Sequence, residues 1–162
     1  ALARLAPATL ALEIVEIRDL PLFDQDFEKP LPPAVATFKS RIQDADAVLF
    51  VTPEYNRSVP GVLKNAIDCG SRPYGTSAWS GKPGGVVSVS VGAIGGFGAN
   101  HHLRQSMVFL DVPMMSQPEA YVGNASALFD AAGEVAQAET REFLQRYMAA
   151  FADWVGRHAA GR

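Results

Sequence analysis

The 162-residue chain has one cysteine, Cys69. A single thiol cannot close an intramolecular disulfide, which excludes a disulfide-framed secreted scaffold. The chain also lacks an uninterrupted apolar run of the roughly 18 residues that a membrane span needs. Its start, Ala1–Pro7, lacks the basic-then-apolar pattern of a secretory leader. We therefore expect a cytoplasmic protein without a membrane anchor.

Positive charge is not in excess, since 14 lysines and arginines stand against 17 aspartates and glutamates, for a net charge of −3. A chain with this balance has no broad attraction to nucleic-acid phosphates or to anionic membranes, so neither is expected as a partner. The contents of 48% hydrophobic and 19% charged residues are close to those of average globular domains. Length and composition together predict a single domain over residues 1–162 that needs no metal to fold.

Segments with a strand pattern alternate along the chain with segments of a helix pattern. Ala11–Ile17 and the apolar run Asp46–Thr52 are predicted strands, and Pro33–Ala45 between them has apolar residues at helical spacing. The same reasoning predicts the remaining elements, which are the helix Gly61–Gly70, the strand Gly85–Val91, the helix Asn100–Leu110, the strand Val112–Ser116 and the helix Ala136–His158. This alternation predicts an α/β fold in which helices cover both faces of a parallel sheet.

A doubly wound sheet places its ligand site outside the carboxyl ends of its strands, where the loops after Thr52, Val91 and Ser116 open. Ala1–Leu5 has the pattern of a helix end, yet no strand precedes it. In the strand order 2-1-3-4-5 of such sheets, the opening strand lies inside the sheet. A sheet without the opening strand would be split and would expose two unpaired strand edges, which promote aggregation. We therefore expect that strand and its loop to precede Ala1 in the biological chain.

The signature loop, Thr52–Gly61 (TPEYNRSVPG), follows a predicted strand and precedes a predicted helix. Its two prolines stiffen the backbone, Asn56 can hydrogen-bond locally, and Ser58 is placed to cap the helix. Tyr55 offers a ring face against which a flat heterocycle can pack. On these residues alone, an ordinary βα turn with a helix cap is as good an interpretation as a ligand site.

The run TPEYNRSVPGVLKNAID resembles the signature of the NADPH-dependent FMN reductase family, which includes chromate and quinone reductases. Three further segments resemble that family in the same order, namely LPLFDQD at Leu20–Asp26, SGKP at Ser80–Pro83, and SVGAIGG with HHLRQ within Ser90–Gln105. The resemblance covers nearly the whole chain. It implies a flavodoxin-like, three-layer doubly wound parallel sheet of order 2-1-3-4-5, with strand 1 and its phosphate loop missing from this numbering.

The resemblance also implies that flavin mononucleotide (FMN) lies between the signature loop and the glycine loop, Ser90–Gly96. The implied cofactor-binding residues are Pro53, Glu54, Tyr55, Asn56 and Ser58 in the signature loop, and Ser90, Gly92, Gly95 and Gly96 in the glycine loop. Glycines agree with this assignment on physical grounds, because they permit positive φ and let backbone N–H groups approach a ring edge. Without its position after a predicted strand, the glycine cluster would be interpreted as an ordinary turn, because it lacks the GxGxxG pattern of a dinucleotide-binding loop.

Three charged residues, Arg57, Arg104 and Glu119, are assigned to substrate binding or to a subunit interface. Arg57 either attracts the phosphate of a nicotinamide cofactor or an anionic acceptor, or forms a subunit contact, for example with Glu119. The resemblance implies a homodimer or homotetramer, with Tyr55, Arg57 and Phe97–Arg104 near the subunit boundaries.

The implied function is that of an FMN-dependent NAD(P)H oxidoreductase. Hydride would pass from NADPH or NADH through flavin N5 to a quinone, free flavin, an azo compound or a metal oxyanion such as chromate. No acid–base residue is named, because the cofactor carries the chemistry. The alternatives are a non-enzymatic FMN electron carrier and, if the phosphate loop is truly absent, a flavin-free scaffold. The sequence neither ranks NADPH against NADH nor identifies the physiological acceptor.

The other chemically distinctive residues are assigned no chemistry. Cys69 has no Cys-x-x-Cys partner and is assigned a structural role. His101, His102 and His158 are assigned to the surface or an interface, and no metal site is predicted.

Overall fold

The computed structural model describes residues 1–159, which form a parallel sheet covered by helices on both faces. The helices are α1 (Leu2–Leu5), α2 (Pro33–Asp44), α3 (Gly61–Ser71), α4 (Phe97–Phe109) and α5 (Ala138–Ala159). The strands are β1 (Val48–Thr52), β2 (Gly84–Val89) and β3 (Ala120–Val122). Single 3-10 turns occur at Gln25–Phe27 and Ala125–Ala127. None of the helices within residues 1–159 is long and apolar enough to cross a membrane.

The sheet has the order β1-β2-β3, and both pairings are parallel, with Val48 opposite Gly84 and Val87 opposite Ala120. Parallel strands need crossover connections, and α3 and α4 supply them. The central strand β2 is buried on both faces, as its nearly continuous apolar sequence requires. The predicted α/β class is confirmed, while the complete order 2-1-3-4-5 stays a prediction.

Two hydrophobic cores lie on opposite faces of the sheet, because successive residues of a strand point to opposite sides. Val86 belongs to the core under α2, α3 and α4, and Val87 belongs to the core under α5 and α1. The largest fully buried side chains include Leu103 and Met107 on the first face and Tyr147 on the second. Burying an apolar side chain of this size stabilises the fold by roughly 1.5–3 kcal/mol.

The strand predicted at Ala11–Ile17 is wrong, because the segment joins no ladder. Its side chains still alternate as they would in a strand: Leu10 and Leu12 pack on the core under α5, whereas Val15 and Ile17 pack on the core under α2–α4. A ladder needs a neighbour, and no strand pairs with this segment within the part of the chain that the structure describes.

The strand predicted at Val112–Ser116 is also misplaced, because the third strand of the sheet is β3. The predicted segment makes only an isolated parallel bridge, between Met114 and Gly84, before the chain moves on to β3. Pro113 and Pro118 lack the N–H group that a ladder needs, which interrupts the strand between these positions.

The predicted helices are confirmed with small shifts of their ends. The largest shift is in α4, which begins at Phe97, three residues before the predicted start. The backbone of Gly96, at φ 77°, turns the chain into the helix, and this left-handed conformation favours glycine.

Candidate functional site

The signature loop and the glycine loop leave adjacent strands and lie side by side at the carboxyl edge of the sheet. The first follows β1, and the second joins β2 to α4. A Cβ atom at Gly98 would lie 2.9 Å from Oε2 of Glu54 and 3.1 Å from the carbonyl oxygen of Arg57. The first turn of α4 is therefore in direct contact with the signature loop.

The tip of the signature loop is a tight hairpin. Tyr55 and Ser58 exchange two backbone hydrogen bonds, each 3.0 Å long. Between them Asn56 (φ 51°) and Arg57 (φ 63°) both have positive φ, as in a type I′ turn. Asparagine tolerates this region and arginine is strained in it. The hairpin holds the Tyr55 ring at the surface, with 61% of the residue exposed.

The prediction that Ser58 caps the following helix is wrong. Helix α3 begins after Pro60, whose position has no side-chain cap. Because the hairpin commits the backbone of Ser58 to Tyr55, its hydroxyl faces α4 and lies 2.6 Å from Nδ1 of His102. Ser58 thus connects the signature loop to α4.

The carboxylate of Glu54 makes a second connection between the same two elements. Its Oε2 accepts a hydrogen bond of 3.0 Å from the backbone N–H of Ala99, in the first turn of α4. This N–H is one of those that a helix start leaves without an intrahelical partner, and a negative charge is favourable there. Nη1 of the exposed Arg57 lies 4.0 Å from the other oxygen of Glu54.

The glycine loop is anchored at both of its ends. At the first end, Oγ of Ser90 accepts a hydrogen bond of 3.1 Å from the backbone N–H of Gly92. At the second end, Gly95 and Gly96 have φ values of 66° and 77°. A Cβ atom at Gly95 would lie 2.5 Å from the backbone carbon of Tyr121, so no larger residue fits there.

An aromatic cluster of Phe97, His101 and Tyr121 lies beside the glycine loop. Nε2 of His101 is 2.8 Å from the hydroxyl of Tyr121 and 3.9 Å from Oε1 of Glu119. Burial raises the pKa of Tyr121 to about 12, and the hydrogen bond to Glu119 and its charge add to this effect. Within residues 1–159, Glu119 pairs with His101, whereas Arg57 lies near Glu54.

Comparison with known proteins assigns the family. A family model described as NADPH-dependent FMN reductase matches residues 1–127. A quinone reductase of Pseudomonas putida is 64% identical over 156 residues, which cover 96% of this chain and 83% of the relative. A 2-hydroxy-1,4-benzoquinone reductase of a Burkholderia species is 48% identical over 155 residues, covering 96% and 85% of the two chains. This chain belongs to the NADPH-dependent FMN reductase family.

A solved structure supports the same assignment. FerB, a flavoenzyme NAD(P)H:(acceptor) oxidoreductase from Paracoccus denitrificans, superposes with a TM-score of 0.91 at 42% identity, covering 97% of this chain and 86% of that one. The flavodoxin-like fold predicted for this FMN reductase is confirmed. The relatives are named as reductases, which decides against the alternative of a non-enzymatic electron carrier.

The exposed backbone of the glycine loop fits the cofactor that the family name implies. Within residues 1–159, the backbone N–H groups of Ala93 and Ile94 donate no hydrogen bond to another residue, and both residues are exposed. The pyrimidine edge of an oxidised flavin carries two carbonyl oxygens and N1, which accept hydrogen bonds, beside the N3–H donor. Unpaired donors at this edge of the sheet, where the exposed ring of Tyr55 also lies, therefore suit such a heterocycle.

The remaining distinctive residues of the reductase lie elsewhere. Nε of Arg104 donates to Oδ1 of Asn100, and its Nη1 donates to the carbonyl oxygen of Met115, both at 3.0 Å. Arg104 thus points into the fold. Cys69 is buried, and burial raises the pKa of its thiol. Among residues 1–159, no group of three or more histidines, cysteines or carboxylates could hold a metal ion.

Proposed function

We propose that this chain is an FMN-dependent NAD(P)H quinone reductase whose flavin lies between the signature loop and the glycine loop. The observation that carries the proposal is the contact between the signature loop and the first turn of α4, which directly follows the glycine loop, in a member of the FMN reductase family. Two of its relatives are named for quinone substrates. Quinones are therefore the first acceptors to test, and free flavin, azo compounds and chromate are secondary candidates.

When bound, FMN accepts hydride from NADPH or NADH and supplies two electrons to the acceptor. The protein's own residues hold and orient the ring. The exposed Tyr55 side chain would pack against it, and the unpaired N–H groups of Ala93 and Ile94 would donate to its polar edge. Glu54 and Ser58 keep the signature loop against α4, so that these groups stay in place.

The proposed cofactor-binding set keeps its nine members but divides into two roles. Pro53, Tyr55, Asn56 and Gly92 are exposed and are assigned to direct contact with the ligand. The members that shape the walls from inside are Glu54, Ser58, Ser90, Gly95 and Gly96. The exposure of the first group and the contacts of the second support this division.

Arg57 is the proposed contact for the phosphate of the nicotinamide cofactor. Its side chain is 77% exposed, and it stands at the tip of the hairpin, two residues from Tyr55. Its partner within the chain is a carboxylate 4.0 Å away, which leaves the guanidinium available to a stronger anion. An anionic acceptor could use the same charge.

The proposed assembly is a homodimer or homotetramer in the cytoplasm. Helix α4 exposes 48% of Phe97, 80% of Val108 and 83% of Phe109 at the surface of a single chain. Exposed apolar side chains on one helix favour contact with a second copy. Glu119, beside His101, lies next to the start of this helix and could take part in the contact.

The direct experiment measures the absorption spectrum of the purified protein and its oxidation of NADPH and NADH with 1,4-benzoquinone after FMN is added. We expect a flavin spectrum with saturable binding of FMN, and steady turnover that depends on the quinone. Binding without turnover would contradict the reductase activity, and no binding of FMN would contradict the proposal as a whole.

A further inference from the structure

A buried chain of hydrogen bonds connects α4 to the glycine loop. Ser88 on β2 and Asn100 on α4 are both 0% exposed. Oγ of Ser88 donates to the carbonyl oxygen of Gly95 at 2.7 Å, and Nδ2 of Asn100 donates to Oγ of Ser88 at 3.2 Å. Arg104 completes the chain through its hydrogen bond to Oδ1 of Asn100.

The direction of each hydrogen bond follows from the chemistry of the groups. A guanidinium only donates, so Arg104 requires the oxygen of the Asn100 amide to face it. The amide nitrogen of Asn100 must then face Ser88, whose oxygen accepts from it. The hydroxyl proton of Ser88 is left to donate to a carbonyl oxygen, and that of Gly95 at 2.7 Å is closer than that of Ala120 at 3.4 Å. Arg104 therefore favours the amide orientation in which Nδ2 of Asn100 faces Ser88 and the carbonyl oxygen of Ala120, 3.4 Å from that nitrogen.

The hydrogen bond from Ser88 is the side-chain contact that holds the carbonyl group of Gly95 from inside the fold, and backbone contacts lie on either side of it. A Cβ atom at Gly96 would lie 3.0 Å from Cβ of Ser88, so the loop packs directly on β2 at this point. The backbone N–H of Asn100 donates to the carbonyl oxygen of Gly96 at 3.0 Å. Ile94, with its unpaired N–H, directly precedes Gly95.

We propose that Arg104 is a positioning residue that acts through Asn100 and Ser88 to hold the glycine loop in the conformation that presents its N–H groups to the ligand. This replaces a direct role for Arg104 at the substrate or the subunit interface. The identity of the ligand, FMN, rests on the proposed function. The hydrogen bonds that link Arg104 to the glycine loop are independent of that function.

The test compares Arg104→Met and Ser88→Ala with Arg104→Lys, which retains a donor for Asn100. Tyr147→Phe is the matched control, because Tyr147 is also 0% exposed and its hydroxyl donates at 3.1 Å to Val86, two residues from Ser88 on β2. Three quantities are measured on the full chain: the Kd of FMN from flavin fluorescence, the hydrogen exchange of residues 91–97 without flavin, and the thermal unfolding midpoint.

We expect Arg104→Met and Ser88→Ala to raise the Kd of FMN about tenfold, equivalent to ~1.4 kcal/mol. The hydrogen exchange of residues 91–97 should accelerate in both variants. Arg104→Lys should raise the Kd of FMN by no more than about threefold, a loss of binding free energy well under ~1.4 kcal/mol. Tyr147→Phe should lower the unfolding midpoint and leave both other quantities unchanged.

The proposal is overturned if Arg104→Met and Ser88→Ala lower only the unfolding midpoint, as Tyr147→Phe does. It is also overturned if Arg104→Met changes the KM for NADPH while the Kd of FMN and the loop exchange stay constant, since that result indicates direct substrate contact. If Arg104→Met does not fold, Ser88→Ala decides by the same criteria. If the wild-type protein binds no FMN, the proposed function fails, and the exchange measurement alone still decides whether the hydrogen bonds position the loop.

Discussion

The carboxylate of Glu54 and the backbone N–H of Ala99 are joined by a hydrogen bond of 3.0 Å that connects the signature loop to the start of α4. Glu54 belongs to the signature loop, and Ala99 is the third residue of α4, immediately after the glycine loop. The bond caps a helix start from another part of the chain, whereas a helix cap commonly comes from the residue just before the helix.

Removal of the Glu54 side chain should loosen the signature loop. Glu54→Ala leaves the Ala99 N–H without its partner, which should lower the free energy of unfolding by about 1 kcal/mol, as helix-cap losses do. The Kd of FMN should rise at the same time. Glu54→Gln is the control, because its amide oxygen can still accept the hydrogen bond. Denaturant unfolding and flavin titration of both variants measure the two effects, and equal losses in both would contradict the capping role.

The ring of Tyr55 should contribute to FMN binding far more than to folding. Because 61% of the residue is exposed, Tyr55→Ala should change the free energy of unfolding by less than about 0.5 kcal/mol. Loss of the ring contact should raise the Kd of FMN roughly two- to tenfold, as expected for an aromatic contact worth roughly 0.5–1.5 kcal/mol. Tyr55→Phe should bind like the wild-type protein. An unchanged Kd for Tyr55→Ala would place the flavin elsewhere.

Gly95 should tolerate no side chain, for two separate reasons. Its φ of 66° disfavours other residues, and a Cβ atom would lie 2.5 Å from the backbone of Tyr121. Gly133→Ala provides a matched control, since Gly133 has φ 72° and a Cβ atom added there would meet nothing within 4 Å. We expect Gly133→Ala to lose roughly 1–2 kcal/mol of unfolding free energy. Gly95→Ala should lose clearly more, and equal losses would show that the Tyr121 backbone moves freely.

The charge of Arg57 should lower the KM for NADPH but not the KM for NADH. Arg57→Asn removes the charge and keeps a residue that tolerates positive φ, so the hairpin should persist. The KM for NADPH should rise about fivefold, since an exposed ionic contact contributes at most roughly 1 kcal/mol. The KM for NADH, which lacks the additional phosphate, should stay constant. Unchanged kinetics with weakened assembly, measured by sedimentation, would support the subunit contact instead.

Stability should fall at alkaline pH because of buried tyrosines. Burial raises the pKa of Tyr147 to about 12, so the folded protein retains a proton that the unfolded chain releases from about pH 10. The stabilisation is complete below pH 10 and is lost as the pH rises toward 12. In Tyr147→Phe the loss of unfolding free energy over this interval should be smaller, and part should remain from Tyr121. Identical pH profiles for both proteins would contradict this account.

Local pattern was enough to predict α2, α3, β1 and β2, because their apolar spacing matches the face that each element buries. The same logic failed for Ala11–Ile17, whose side chains alternate between the two cores but whose backbone has no neighbour to pair with. It also failed for β3, a strand of three residues that follows Pro118 and is too short to show a period.

The loops of the site were predictable, but their connections were not. The signature loop and the glycine loop were identified by resemblance and by glycine content. The bonds from Glu54 to Ala99 and from Ser58 to His102 join residues about 45 positions apart, and no local pattern encodes them. Tyr121 was missed because the predicted strand ended before it.

Hydrogen exchange with and without FMN tests most directly whether the two loops form one flavin site. Peptides that cover residues 53–58 and 91–96 should both exchange more slowly when FMN is bound, over the same range of FMN concentration. Protection of only one of the two loops, or of neither, would contradict a site built between them.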